Sequence, residues 1–374
     1  MKKINFLDLQ LQQNNIKKVL DANLKRVLNH SNYIMGPEVK LLEKALENYT
    51  KAKYCISCAS GTDALILSLL AYGIGKGHYV ICPSFTFPAT AEAILITGAT
   101  PIFIDVGKKT FNLCYQQLEK ILSKNKKLDI KAVIAVDLFG LPANYKKLKI
   151  ISNKYNIKII ADAAQSFGAS LNGKKVGSLA SVTCTSFFPA KPLGCYGDGG
   201  AIFTNNKILK DSLVSLRAHG KSTSKYKISK IGLNSRLDTI QAAILLAKMK
   251  VFDWELEQRD KNAKLFNSEL EKLYKVPKLP QGTKSAWAQY TIIVEKRNKL
   301  IDYLNEKNIP FMIYYPVPMH RQPAYKEYAD KTIDLQRSNE LSQTVISLPI
   351  HAYLKETEKD YILYHLKRAK KLLH

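Results

Sequence analysis

Acidic residues are scarce in this chain of 374 residues: 31 Asp and Glu stand against 57 Lys and Arg, a formal net charge of +26. Such an excess favours anionic partners, namely nucleic acid, a membrane surface or phosphorylated small molecules. Many lysines fall in runs that read as solvated helix faces, such as Lys146, Lys147 and Lys149, or Lys367 to Lys371. Charge alone therefore selects none of the three. Cysteine is also sparse: six residues (Cys55, Cys58, Cys82, Cys114, Cys184, Cys195) do not make a disulfide framework at this length. Cys55-Ile-Ser-Cys58 has the spacing of a zinc or redox pair, but a second such pair is missing and no clustered His completes a ligand set. On a strand the two thiols would point to opposite faces and pack as small apolar groups, so no metal is expected. No apolar run approaches the about 18 residues of a membrane span, and Asp8 interrupts the only candidate leader. The chain reads as cytoplasmic. A dinucleotide fingerprint, a P-loop and a catalytic triad signature are also missing, and Gly73-Ile-Gly-Lys-Gly77 reads as a turn.

What is present is 46% hydrophobic residues, ample for a large core, in a chain long enough for two or three domains. Short apolar runs at 54–58, 79–82, 101–104, 132–136, 158–160 and 182–188 predict strands. Helical spacing at 38–49, 64–72, 89–97, 116–122 and 144–155 alternates with them. That alternation implies parallel crossovers and an α/β fold with a helix-flanked, mostly parallel sheet. From Leu237 to about Leu273 the periodicity is long and helical. Beyond the Pro277–Gly282 breakers, strand-like 290–294 and 311–315, a helix near 299–307 and a basic terminal helix suggest a smaller α+β unit. We therefore expect a large domain over 1–250 and a small one over 251–374.

Candidate chemistry centres on Ser186-Phe-Phe-Pro-Ala-Lys191-Pro-Leu-Gly-Cys-Tyr-Gly-Asp-Gly-Gly200. A lysine in a stiff turn after a strand points somewhere, and a shielded amine can form a Schiff base with a carbonyl. The glycines beyond it allow close backbone approach to a ligand. Together they suggest pyridoxal phosphate. In parallel sheets ligands gather outside the carboxyl ends of strands. Asp162, ending the 158–160 strand, suits a pyridine nitrogen or a helix cap, and Gln165 could reach the phenolic oxygen of the ring. Phe85 or Phe87 could stack on the ring, although a Phe after a strand is ordinarily core. Ser60-Gly-Thr-Asp63 opens a helix and could either cap it or hold a phosphate. Arg236, just before the long helix, suits carboxylate or phosphate oxygens.

The ordered set resembles the DegT-type nucleotide-sugar aminotransferases of the aspartate-aminotransferase fold, a fold type I pyridoxal-phosphate architecture. It runs from Tyr33-Ile-Met-Gly-Pro-Glu-Val through Ser60-Gly-Thr-Asp-Ala-Leu, Pro83-Ser-Phe-Thr-Phe and Asp162-Ala-Ala-Gln-Ser-Phe-Gly-Ala. It continues in the lysine segment, Asn234-Ser-Arg-Leu-Asp-Thr-Ile-Gln-Ala-Ala and Tyr315-Pro-Val-Pro-Met-His-Arg-Gln-Pro-Ala-Tyr325. The resemblance implies that Lys191 carries the cofactor and shuttles the proton, and that Asp162 pairs with the pyridine nitrogen and Gln165 with the phenolic oxygen. It places Phe87 on the ring. Thr62, the Asp63 backbone and Ser186 would hold the phosphate, and Asn234 would reach it from the neighbouring subunit of a homodimer. Arg236, Tyr314, Tyr315 and His320 fall on the substrate side. The implied reaction moves an amino group from L-glutamate to a keto nucleotide sugar for a surface glycan such as lipopolysaccharide O-antigen. The pattern is most similar to enzymes of UDP-linked 2-acetamido-3-keto hexoses and hexuluronates. It departs at Tyr314, where that subgroup commonly has His, so neutral 3-keto, 4-keto and dTDP-linked sugars stay open. A sugar dehydratase and, from the +26 charge, a DNA-binding regulator are the other readings. Lys191 opposes the first, because the dehydratase branch carries His there. The lack of a basic helix-turn-helix before residue 50 opposes the second.

Overall fold

The computed structural model describes residues 4–107, 110–125, 127–222 and 227–372. Met1 to Lys3, the start of the stretch read above for a leader, lie outside them. Two helices lead in, α1 (Leu9–His30) and α2 (Pro37–Thr50). There follow β1 (Tyr54–Cys58), α3 (Gly61–Ala71), β2 (Tyr79–Pro83), α4 (Ala89–Ile96), β3 (Thr100–Ile104), α5 (Tyr115–Lys124), β4 (Ile130–Val136), α6 (Tyr145–Tyr155) and β5 (Lys158–Asp162). The two-residue strands β6 (Ser170–Leu171) and β7 (Lys174–Lys175) precede β8 (Val182–Ser186), β9 (Gly200–Thr204), α7 (Lys207–Leu216), α8 (Thr239–Lys248) and α9 (Phe252–Leu270). The rest comprises β10 (Thr283–Lys284), β11 (Tyr290–Ile293), α10 (Arg297–Glu306), α11 (Gln336–Thr344), β12 (Val345–Leu348) and α12 (Glu356–Leu372).

Seven strands form the main sheet in the order β1-β9-β8-β5-β4-β2-β3. Six run parallel, and β9 alone runs against its neighbours β1 and β8. The α/β expectation therefore holds, with one reversed strand. Each strand is buried on both faces, and alternate side chains feed separate cores. Cys58, Val80, Cys82, Ile134, Ile160 and Cys184 pack under α3, α4 and α7. Ile81, Val133, Ala135, Ile159 and Ala161 pack under α5 and α6. Cys55 joins Phe203, α2 and α8 on that opposite side, so the two thiols of Cys55-Ile-Ser-Cys58 do face apart. All six cysteines are free.

Two expectations change. The helical run from Leu237 is two helices, because Lys250 and Val251 donate to carbonyls three residues back, Ala247 and Lys248, rather than four. The tightened turn redirects the chain. The strand expected at 311–315 shrinks to a single bridge of Met312 with Ser347. After it the Tyr314–Tyr315 peptide is cis and the chain leaves the ladder. The partner that β11 pairs with is β12, and these two with α9, α10, α12 and Ile4 enclose a second core.

A carboxylate ties this second unit to the sheet. Asp105, just past β3, accepts from the Arg337 and Ser338 amides, both at 2.8 Å, and from Ser338 Oγ at 2.6 Å. It thus caps α11 from another element. Asp105→Ala removes that cap and leaves buried donors unpaired, so urea unfolding is expected to show a loss of about 2–4 kcal/mol. Asp105→Asn, which keeps one acceptor oxygen, is expected to lose about half as much.

Candidate active site

Because six strands run parallel, their carboxyl ends share one edge, and the candidate residues gather there. Asp162 is the last residue of the central strand β5 and is 8% exposed. Thr90 Oγ1, on the first turn of α4, donates to its Oδ2 at 2.8 Å, and the Ala164 amide to Oδ1 at 3.3 Å. Burial raises its pKa, while Thr90, Ala164 and the charge of Lys191 pull it back. Lys191 is partly exposed as a residue, yet its surroundings desolvate the amine. Burial lowers its pKa, and Asp162 opposes the shift. Burial thus disfavours the charged form of both groups, and the charge of each favours ionisation of the other. Desolvation of this kind favours the unprotonated amine, the form that attacks a carbonyl.

The opening of α3 lies beside β8. Ser60 caps the helix by accepting from the Asp63 amide at 3.0 Å. That amide is therefore already engaged, and Gly61 and Thr62 supply the first-turn N–H groups for which the helix has no acceptor. Gly61 must be glycine: a Cβ there would stand 2.7 Å from Ser186 Cβ. Bare backbone at a positive helix end, next to the Thr62 and Ser186 hydroxyls, fits a phosphate. Ser60 thus caps the helix through the Asp63 amide, and the Gly61 and Thr62 amides are the ones left for an anion.

Gln165 is held from two sides, accepting from the Phe139 amide at 2.6 Å and donating to Tyr315 OH at 3.0 Å. Phe87 is 52% exposed, with its ring centroid 6.0 Å from that of Tyr315, whereas Phe85 is fully buried core. Of the two, only Phe87 is free to meet a ligand. Tyr314 stacks edge-on to Tyr315. Asn234 is exposed in a bridge with Ala218. Two residues on, Arg236 keeps a buried Nε with no hydrogen-bond partner among the described residues, as an anion clamp awaiting its anion would. His320 is different: its Nδ1 lies 2.6 Å from Ser84 Oγ, so its imidazole is anchored to the loop after β2.

Two contributors escape sequence reading. Thr90 is a hydroxyl between two alanines in the first turn of α4, and nothing in the local sequence points it at Asp162. Asp137 lies behind Asp162, its amide donating to the Asp162 carbonyl at 3.0 Å. Its buried carboxylate accepts from Tyr145 OH and Ser166 Oγ, each at 2.6 Å, and from the Ala143 amide at 2.8 Å.

An amine and a carboxylate driven toward neutrality at the common edge of such a sheet, beside an anion-ready helix end, define a transferase of the aspartate-aminotransferase fold. The chain belongs to the DegT/DnrJ/EryC1/StrS aminotransferase family, whose model matches residues 14–367. It is 44% identical over 352 residues to the UDP-2-acetamido-2-deoxy-3-oxo-D-glucuronate aminotransferase of Pseudomonas aeruginosa, covering 94% of this chain and 96% of that one. Among solved structures, a family aminotransferase from Brucella abortus superposes with a TM-score of 0.96 at 45% identity, covering 98% and 99% of the two chains. Bacillus subtilis NtdA, solved with bound cofactor PMP, superposes at 0.89 and 27% identity over 99% of this chain and 86% of that one. The protein is an aminotransferase, and its cofactor is pyridoxal 5′-phosphate. Among the described residues no helix is long and apolar enough to cross a membrane.

Burial pushes the Asp137 carboxyl up to about 7, against the pull of its three donors. The folded chain therefore holds this proton more tightly than the unfolded chain. Stability from this group is greatest below about pH 4 and declines as pH rises to 7, by about 1.4 kcal/mol per pH unit. Denaturant unfolding between pH 4.5 and 6.5 is expected to show that slope in the wild type and a correspondingly flatter one in Asp137→Asn.

Proposed function

We propose that the protein is a cytoplasmic homodimer that transfers the amino group of L-glutamate to a keto nucleotide sugar. Its acceptor would be a UDP-linked 2-acetamido-3-keto hexose or hexuluronate destined for a surface glycan such as O-antigen. The observation that carries this reading is the Lys191–Asp162 pair: Asp162 ends the central strand, buried and held by Thr90 at 2.8 Å, and its charge acts on the desolvated Lys191 amine. The 44% identity to an enzyme named for a UDP-linked 3-oxo sugar supports the acceptor class. In this reading residues 1–250 form the cofactor-holding domain and 251–374 the smaller one, joined at the break between α8 and α9.

Bound pyridoxal phosphate supplies an electron sink for the carbon that gains or loses the amino group. Asp162, fixed by Thr90, holds negative charge for the ring nitrogen. The Gln165 amide, fixed by Phe139, is presented to the phenolic oxygen, and Phe87 covers one ring face. Thr62, the Asp63 backbone, whose amide also serves Ser60, and Ser186 hold the phosphate, and Asn234 adds a contact from the neighbouring subunit. Lys191 takes a proton from the glutamate carbon and returns one to the sugar carbon, a role that the lowering of its pKa by burial favours. Arg236 clamps the carboxylate or diphosphate of the incoming substrate. Tyr314 and Tyr315 border the acceptor, and His320 holds their segment against Ser84. Glutamate leaves as 2-oxoglutarate before the keto sugar enters, so one site serves both halves.

Incubation with L-glutamate and a panel of UDP- and dTDP-linked 3-keto and 4-keto sugars, read by mass spectrometry, is expected to aminate a UDP-linked 3-keto sugar and release 2-oxoglutarate. An unchanged panel would refute the reading. Lys191→Ala is expected to lower turnover by about 10³-fold or more. If Asn234 serves its neighbour, mixing Lys191→Ala with Asn234→Ala subunits should restore about one quarter of wild-type sites, because half of the dimers carry one intact site.

A further inference from the structure

The loop that carries Lys191 has little regular structure of its own and is held from outside. Within it, the Lys191 amide donates to the Phe188 carbonyl at 2.9 Å and the Cys195 amide to the Phe187 carbonyl at 2.7 Å. Beyond Cys195, α8 takes over. Gln241 Oε1 accepts from the Tyr196 amide at 2.9 Å, and its Nε2 donates to the Tyr196 carbonyl at 3.4 Å. Gly197 lies so close that a Cβ there would stand 3.0 Å from Gln241 Nε2. Two turns further along the same helix face, Lys248 places Nζ 4.4 Å from the centroid of the Tyr196 ring.

Lys248 is 1% exposed, and its Nζ makes no hydrogen bond to any described residue. An interior ammonium is expensive, and a well-packed apolar side chain would be cheaper there. What compensates it is the ring face, together with the charge of Glu255 on α9. Burial pushes its pKa down to about 8, with Glu255 and Cys195 pulling back, so the group is still a cation at pH 7. Tyr196 is only five positions past Lys191, and α8 meets this loop through apolar contacts, Tyr196 with Ile244 and Ala247 and Leu193 and Cys195 with Ala242 and Leu245, and through the polar pair Gln241 and Lys248 at Tyr196 itself.

We propose that Lys248 is a positioning residue for Lys191: its ammonium against the Tyr196 ring, working with the Gln241 clamp, fixes the 192–199 loop and so sets where the Lys191 amine stands relative to Asp162. The inference rests on the aminotransferase reading for its effect on turnover, but not for its effect on the loop.

The test compares Lys248→Met, similar in length and uncharged, with Lys248→Arg, which keeps a cation over the ring. In Lys248→Met, amide hydrogen exchange across 189–199 is expected to quicken by about 10-fold, with kcat falling by about 10-fold and the glutamate KM staying within about twofold. Lys248→Arg should recover most of both effects. If Lys248→Met does not fold, Tyr196→Leu, which removes the ring and leaves the lysine, decides on the same two readouts, with Tyr196→Phe behaving as wild type. Wild-type exchange in a folded variant overturns the proposal. So does faster exchange with unchanged kcat, which would make Lys248 a structural contact only, or lowered kcat with unchanged exchange. Exchange reports on the loop whether or not the wild type turns over any sugar, so failure of the aminotransferase reading is seen separately.

Discussion

Asp162 and Lys191 each lose hydration in the fold, and each is the charge that most favours ionising the other. Burial raises the acid and lowers the amine, and the surrounding groups decide how far. Thr90 holds the carboxylate in one orientation, Asp137 and its three donors fix the backbone behind it, and the sheet register places Asp162 beside Val136 and Cys184. The main architectural choices, a central parallel strand, helices on both faces and a lysine on the next strand's loop, all serve to keep these two groups in one dry place.

Most of the large unit is legible in the sequence because its elements obey simple periods. Strands β1 to β5 and β8 are short apolar runs, buried on both faces, and helices α2 to α6 start and stop near their expected bounds. The site residues at strand ends follow from the rule that ligands gather there. Harder cases have identifiable causes. α1 has no counterpart among the expected elements because its buried stripe, Gln12, Ile16, Leu20, Asn23 and Val27, contains two polar side chains. Gln12 is buried there because it donates to Glu255 at 2.7 Å, and Asn23 because it donates to the Ala243 carbonyl at 3.0 Å. Hydropathy cannot register partners more than two hundred residues away. Asp105 is hidden for the same reason, its partner Ser338 lying 233 residues on, whereas Asp137 and Thr90 find theirs nearer, at Tyr145 and Ser166 and at Asp162.

The carboxyl-terminal unit is less readable because its ladder is built from distant pieces. β11 finds its partner in β12, and Phe311–Tyr315 resembles a strand in composition but meets Ser347 at one residue before turning toward Ser84. Here the anchoring is polar: His320 to Ser84, the Met319 amide to the Ser84 carbonyl at 2.8 Å, and α11 to Asp105. The segment that brings Tyr314 and Tyr315 to the site is thus set by contacts with the sheet edge rather than by the small unit's own core.

The reversal of β9 has a geometric corollary. Ser186 and Gly200 sit directly opposite each other in the β8–β9 ladder, so both feet of the lysine-bearing excursion are clamped at one rung. Adding or deleting a single residue within it would have to be absorbed either by buckling or by sliding one strand past the other. A slide would turn Ser186 away from α3 and bring a side chain to the spot where even a methyl group on Gly200 would stand 2.3 Å from the Ser60 carbonyl. The geometry of this rung thus fixes the length of the excursion as firmly as its chemistry fixes Lys191 within it.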